Sequence, residues 1–249
     1  MRIVVCLSYV PDTATRITIA PDGRSIERQG VKFILNPYDE YAIEEGLRIR
    51  ERFGGETLAV CVGPEGAKEI LRTALAMGID RAVLVRNDWV LDSFGVAEAL
   101  AAVARTAQAD LVLLGRQSID CDSFAMASTV GELLGYPSVS VVSRLTLDAD
   151  GNIVAERDIE GGKEIVETRL PCVISAQKGI NEPRYPKLPD IMKARQKPIE
   201  ELAPPPSAPR SEVVRLELPQ RQRAGKILGS SDAEIAELVR LLHEEAKVI

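Results

Sequence analysis

The stretch DLVLLGRQSIDCDSFAMAS, residues 110–128, gathers the side chains best suited to hold a ligand. Gly115 closes an apolar run of strand type, a polar loop follows, and Ser123 stands where a helix would begin. Free amides at a helix start, together with the helix dipole, favour a phosphate. Arg116 adds positive charge, and Gln117 and Ser118 offer hydrogen bonds to a ribose or a base. The same pattern also fits an ordinary strand-to-helix loop capped by Ser123, and spacing alone leaves both readings open. Asp120 and Asp122 lack further ligands at suitable spacing, so they read as loop and helix-start carboxylates rather than as a metal or acid–base pair. No GxGxxG and no GxxxxGKS occurs, so neither the dinucleotide fingerprint nor the P-loop is present.

Other chemistry is poorly served. The single histidine, His243, lies among charged residues in the last helical stretch, which counts against Ser-His-Asp catalysis, Cys-His catalysis and a histidine metal site. Cys6, Cys61, Cys121 and Cys172 form no CxxC pair, and three sit in apolar strand-like runs. They are expected to be free thiols in a reducing compartment. Tyr9, Trp89 and Tyr136 stand alone and read as packing or edge residues. A net charge of -6 argues against nucleic acid as the main partner. No apolar run approaches the roughly 20 residues of a membrane span, and the opening MRIVVCLSYV reads as a strand rather than a signal peptide.

The elements that must position these residues alternate. RIVVCL, TLAVCVG, AVLV and DLVLLG are near-continuous apolar strands, separated by helical patterns over residues 37–53, 65–78, 94–107 and 123–135. Asn36 is expected to cap the first helix, with Pro37 at its first position. Such alternation implies a parallel sheet covered on both faces. An excursion over residues 15–30 turns at PDG. After Pro137 the period shortens to two: SVSVVSRLTL, NIVAERDI and KEIVETRL read as an antiparallel meander at the sheet edge. CVISA then returns to the buried style. In an open parallel sheet, ligands bind at the carboxyl ends of the strands. That places Cys6, Val62 and the run Asn36, Pro37, Tyr38, Asp39 on the same edge as Gly115.

Residues 181–198, NEPRYPKLPDIMKARQKP, raise a separate question. Pro183, Pro186 and Pro189 disfavour a sheet interior and an ordinary first half of a helix. Six basic residues (Lys178, Arg184, Lys187, Lys193, Arg195, Lys197) in and beside it outnumber Glu182 and Asp190, with Leu188, Ile191 and Met192 interleaved. A basic surface with an apolar tip suits a docking segment: charge steers the encounter and the apolar residue supplies contact. PPPSAPR from Pro204 reads as a stiff linker, and SSDAEIAELVRLLHEEA as an amphipathic helix capped near Ser231.

The segment NEPRYPKLPDIMKARQKPIE resembles the motif of the electron transfer flavoprotein beta subunit. So do VPDT at 10–13, GVKFILNPYDEYAIEE at 30–45, VGPEGAKEILRTALAMGIDRA at 62–82, LVLLGRQSID at 111–120 and LPCVISA at 170–176, in the family's order and over almost the whole chain. The resemblance implies an open, mostly parallel doubly wound sheet of the adenine-nucleotide alpha-hydrolase kind, with an antiparallel edge meander, an extended C-terminal arm and a final helix. It implies a nucleotide-binding domain over residues 1–184, and a partner-recognition loop and arm over 185–249 that pack on an alpha subunit. FAD would be shared with that alpha subunit, with AMP in this one, and no catalytic residue of its own would be needed. The implied nucleotide contacts are Cys6, Asn36, Pro37, Tyr38, Asp39, Val62 and the run Gly115, Arg116, Gln117, Ser118, Ile119, Asp120, Cys121, Asp122, Ser123, Phe124, Ala125, Met126. Those of partner recognition are Leu188, Pro189, Ile191, Met192, Lys193 and Arg195, with Leu188 as the apolar anchor. Implied partners are flavin dehydrogenases and an acceptor such as a membrane quinone oxidoreductase, in the cytoplasm or, in a eukaryote, the mitochondrial matrix. IDCDSFAMAS matches neither the AMP-binding nor the bifurcating pattern. VPDT and NPYDE lean towards electron-bifurcating members that use NADH and hold a second FAD, and LPDIMKA leans towards simple carriers.

Overall fold

The computed structural model describes residues 1–88, 91–219 and 225–249. Trp89 lies outside them. The chain divides into two compact units, Met1–Arg215 and Leu216–Ile249.

The first unit is built on a nine-stranded sheet. Its strands in chain order are β1 (Arg2–Leu7), β4 (Glu56–Gly63), β5 (Arg81–Arg86), β6 (Leu111–Gly115), β7 (Ser138–Leu147), β8 (Asn152–Ile159), β9 (Gly162–Arg169), β10 (Cys172–Ala176) and β11 (Glu200–Leu202), with β2 (Tyr9–Pro11) and β3 (Phe33–Leu35) forming a separate antiparallel pair. The spatial order is β11-β5-β4-β1-β6-β10-β7-β8-β9. Neighbours from β11 to β7 are parallel; β7-β8 and β8-β9 are antiparallel, the meander expected from the two-residue period. Ile3, Val5 and Leu7 of β1 face one buried layer, while Val4 and Cys6 face the other. A central parallel strand has no solvent face, which is why its sequence is apolar at every inner position.

The helices are α1 (Pro37–Phe53), α2 (Lys68–Met77), α3 (Ser93–Thr106), α4 (Met126–Leu134), α5 (Leu188–Gln196) and α6 (Asp232–Arg240). Asn36 occupies the N-cap position of α1, yet its side chain makes no capping bond; it is committed elsewhere, as described below. Asp92 does cap α3, accepting from the Gly95 amide at 2.9 Å. The helix expected to begin at Ser123 begins at Met126 instead, after a turn in which Asp122 adopts a positive φ of 50°. The excursion after β2 forms one antiparallel bridge, Ile19 with Ile26, around the turn at Asp22 and Gly23.

Residues 181–198, whose three prolines argue for an irregular segment, contain α5. Pro189 falls within its first two positions, where a missing amide costs nothing because the first-turn N–H groups have no helical partner. The helix rests on α2, and β11 then adds a strand beside β5. The first unit therefore continues through the early part of the arm. In the second unit, α6 begins with a capping box of Ser231 and Glu234, the Ser231 amide donating to Glu234 Oε2 at 3.1 Å. Among the described residues, no helix is long and apolar enough to cross a membrane.

Candidate functional site

The chain reverses direction across the sheet at β1 and β6: β4 and β5 follow on one side, β10 and β7 on the other. Such a switch point opens a crevice beyond the carboxyl ends of the strands. A cavity of about 240 Å³ lies there. Cys6, Asp39, Val62, Gly115, Gln117, Ser118, Asp120, Cys121, Ser123 and Met126 line it, so ten of the residues expected at one edge are brought together. The remaining eight do not line it.

Asn36 and Asp39 are the main supports. Asn36 Nδ2 donates to Gln117 O at 2.8 Å and Asp39 Oδ1 at 3.0 Å, while Asn36 Oδ1 accepts from the Ile119 amide at 3.3 Å. One buried amide thus fixes the loop after β6 to the start of α1. Asp39 Oδ2 accepts from the Ser8 amide at 2.6 Å, and Oδ1 from the Gly115 amide at 3.0 Å. Burial pushes its carboxyl up to about 7, against the opposing pull of the bonds from Asn36, Ser8 and Gly115. The approach is tight: a Cβ on Gly115 would stand 2.4 Å from Asp39 Oδ1 and 2.7 Å from Tyr38 Cβ. Only glycine fits at that strand end.

Arg116 lies over the rings of Tyr38 and Phe124, at 4.8 and 5.1 Å from their centroids. Its main-chain amide bonds to Ala176 O at 3.0 Å. Gln117 Nε2 donates to Asp122 Oδ1. Arg116 Nε and Gln117 Oε1 are buried without a hydrogen-bond partner among the described residues. A buried orphan on a cavity wall is expensive unless a ligand or water completes it, so the Gln117 carbonyl fits a donor on a bound molecule. Pro37 is exposed at the start of α1, and Ala125 holds the N-cap position of α4.

Cavity-lining residues that sequence reasoning passed over include Asn87 just after β5 and Leu91, Asp92, Ser93, Val96 and Leu100 at α3. The strand-end rule that selected Cys6 and Val62 would have found Asn87 as well. Burial drives the Cys6 and Cys61 thiols well above their ordinary value and lifts Cys172 to about 12, so none of the three is a thiolate nucleophile. A second cavity, of about 330 Å³, lies between α1 and β7, with Arg48, Arg52 and Arg144 around Ile49, Phe53 and Leu145. His243 Nδ1 lies 2.9 Å from the main-chain oxygen of Ile249.

The basic segment 181–198 divides into two faces. Leu188 is 72% exposed and Met192 53%, with Pro189, Lys193 and Arg195 also exposed. Ile191 is half-buried against the core, next to the buried Ala194. Two of the six basic residues are engaged internally: Arg184 pairs with Glu44 and Glu51, and Lys197 Nζ donates to Ile79 O at 3.0 Å.

Fold and cavity together define a doubly wound α/β protein with a crevice at its switch point. A model of the electron transfer flavoprotein domain matches residues 24–207. The chain is 41% identical over 260 aligned positions to the electron transfer flavoprotein subunit beta of Bacillus subtilis, covering all of both chains. It is 36% identical to the mitochondrial subunit beta of Arabidopsis thaliana, again over the full length of both, and 39% identical to the human subunit beta over 82% of each chain. The chain belongs to the electron transfer flavoprotein beta subunit family.

Proposed function

We propose that this chain is one half of a heterodimeric electron transfer flavoprotein, paired with an alpha subunit that holds most of the FAD. The flavin supplies the electron carriage, taking electrons from flavin dehydrogenases and yielding them to an acceptor such as a membrane quinone oxidoreductase. This chain contributes structure and partner recognition, with no catalytic group of its own. Its place is the cytoplasm, or the mitochondrial matrix in a eukaryote. Full-length similarity to beta subunits carries the reading.

The cavity at the carboxyl edge takes AMP in a structural role. The Gln117 carbonyl and Ser118 suit the base or ribose, and the turn from Ser123 into α4 suits the phosphate. Arg116, held against Tyr38 and Phe124, adds positive charge beside it. Partnership is supported by α6, where Ile235, Leu238 and Val239 are exposed and no residue is buried. A nine-residue amphipathic helix with an uncovered apolar face is marginal in water, and an alpha subunit would cover it.

Co-expression with an alpha subunit, followed by flavin and adenine analysis of the purified pair, tests this directly. One FAD and one AMP per one-to-one complex is the expected count. Two FAD and no AMP would place the complex among the bifurcating enzymes that use NADH. A colourless chain that ignores the alpha subunit would overturn the proposal.

A further inference from the structure

The docking helix α5 has nine residues, too few to hold a stable helix on their own. It is nevertheless fastened at both ends, to two different helices. On the N-terminal side, the Arg184 amide and Nε both donate to Glu44 Oε2, at 3.1 and 2.8 Å, and Nη2 donates to Glu44 Oε1 at 3.0 Å. The same guanidinium also pairs with Glu51. Three residues earlier, Asn181 Nδ2 donates to Glu45 Oε2 at 2.9 Å and Tyr41 O at 3.0 Å. All of these acceptors belong to α1.

On the C-terminal side the fastening comes from α2. Arg72 Nη1 donates to the carbonyls of Ala194 at 2.9 Å and Arg195 at 3.0 Å, and lies 3.4 Å from Lys197 O. These are carbonyls at the end of α5, where helical partners run out and a cation is favoured. Between the two clamps, Ala194 and Ile191 pack inward. The residues facing away are Tyr185, 94% exposed, then Leu188 and Met192, which stand four apart on one helical face.

We infer that Glu44 and Arg72 are positioning residues: they hold α5 in its docking conformation, so that a partner meets a preformed ridge of Leu188 and Met192. This rests on the proposed partner-recognition function of this chain, with Leu188 as its apolar contact. Glu44 is nearly buried, its side chain 7% exposed, and a buried carboxylate stripped of its cation is strongly unfavourable. Arg184 is therefore tied down, and the proline-rich approach to α5 transmits that anchorage. A segment ordered in advance does not lose its conformational entropy on association, so affinity is retained for a small contact.

The test uses Glu44→Gln, Arg72→Gln and Arg72→Lys in the co-expressed complex, each with and without Leu188→Ala. Amide exchange should rise roughly tenfold or more across residues 191–197 in the two Gln variants, while β1 and β6 stay protected. With a cognate flavin dehydrogenase, KM for the complex should rise roughly fivefold with kcat little changed. The effect of Leu188→Ala should shrink in the Gln backgrounds, because a mobile helix no longer presents that side chain. Arg72→Lys, which keeps the charge but loses the fork, should fall between wild type and Arg72→Gln. Unaltered exchange over 191–197, or effects that simply add to Leu188→Ala, would overturn the inference while leaving Leu188 as an anchor. No effect of Leu188→Ala on KM in the wild-type background would instead remove the docking reading, and the inference with it.

Discussion

At the carboxyl edge Asn36 and Asp39 turn inward, whereas on α5 Leu188 and Met192 turn outward. Asn36 and Asp39 are buried and bind the loops to one another, leaving the Gln117 carbonyl as an unmet acceptor on the cavity wall. Leu188 and Met192 touch little of their own chain and leave apolar area in water. The contrast separates two kinds of consequence. Damage to the edge should register in the folding of this chain and in what it retains. Damage to the ridge should register only when a partner is present.

The largest expected effect is at Gly115. Its Cβ in Gly115→Ala would enter the space of Asp39 Oδ1 and Tyr38, forcing apart β6 and the start of α1. Overpacking of this kind costs about 3 kcal/mol. Thermal and urea unfolding should show that loss, and mass spectrometry of the denatured complex should show less adenine nucleotide. Full stability and full retention would break the contrast at its inward side.

Leu188→Ala should do the reverse. Truncating an interface anchor costs on the order of 2 kcal/mol, roughly thirtyfold in affinity. Reduction by the dehydrogenase at limiting concentration should slow accordingly, with the melting temperature and flavin spectrum unchanged. Lower thermal stability with lost flavin would mean instead that Leu188 packs against the complex itself.

Asp39 offers a pH signature confined to the edge. Its carboxyl is lifted from 3.8 to about 7, chiefly by burial. The folded state then holds a proton that the unfolded state has released, so this group makes stability fall as pH rises from about 4 to about 7 and adds no slope above that. The expected contribution is about 1 kcal/mol per pH unit near pH 6. Urea titrations of wild type and Asp39→Asn across that interval should differ in slope; identical slopes would remove Asp39 as the titrating group.

The smallest effects belong to Lys193 and Arg195, both exposed. Changing either to Gln should lower the association rate by less than about threefold at physiological ionic strength, and added salt should mask the change. Salt should not mask Leu188→Ala.

Much of the fold was legible in the sequence because each parallel strand carries its own signature. RIVVCL and DLVLLG are apolar after their first residue, and the strand-end rule with the loop after β6 gathered about half of the cavity wall from segments far apart in the chain. What escaped depends on contacts between distant residues. Asn36 in its local window is a cap, but the Gln117 carbonyl, 81 residues away, claims its side chain. Arg184 and Lys197 read as free steering charges until α1 and the turn after α2 are seen to hold them. Three prolines argued for irregular structure over 183–189, yet only Pro189 enters α5, at a position that tolerates it.

Native mass spectrometry of the co-expressed pair, run on wild type, Gly115→Ala and Leu188→Ala, tests the central claim most directly. Wild type and Leu188→Ala are expected at the mass of this chain plus an alpha subunit, one FAD and one AMP, and Gly115→Ala at a mass lacking the AMP. A wild-type chain detected alone, with no adenine nucleotide and no flavin, would contradict the account.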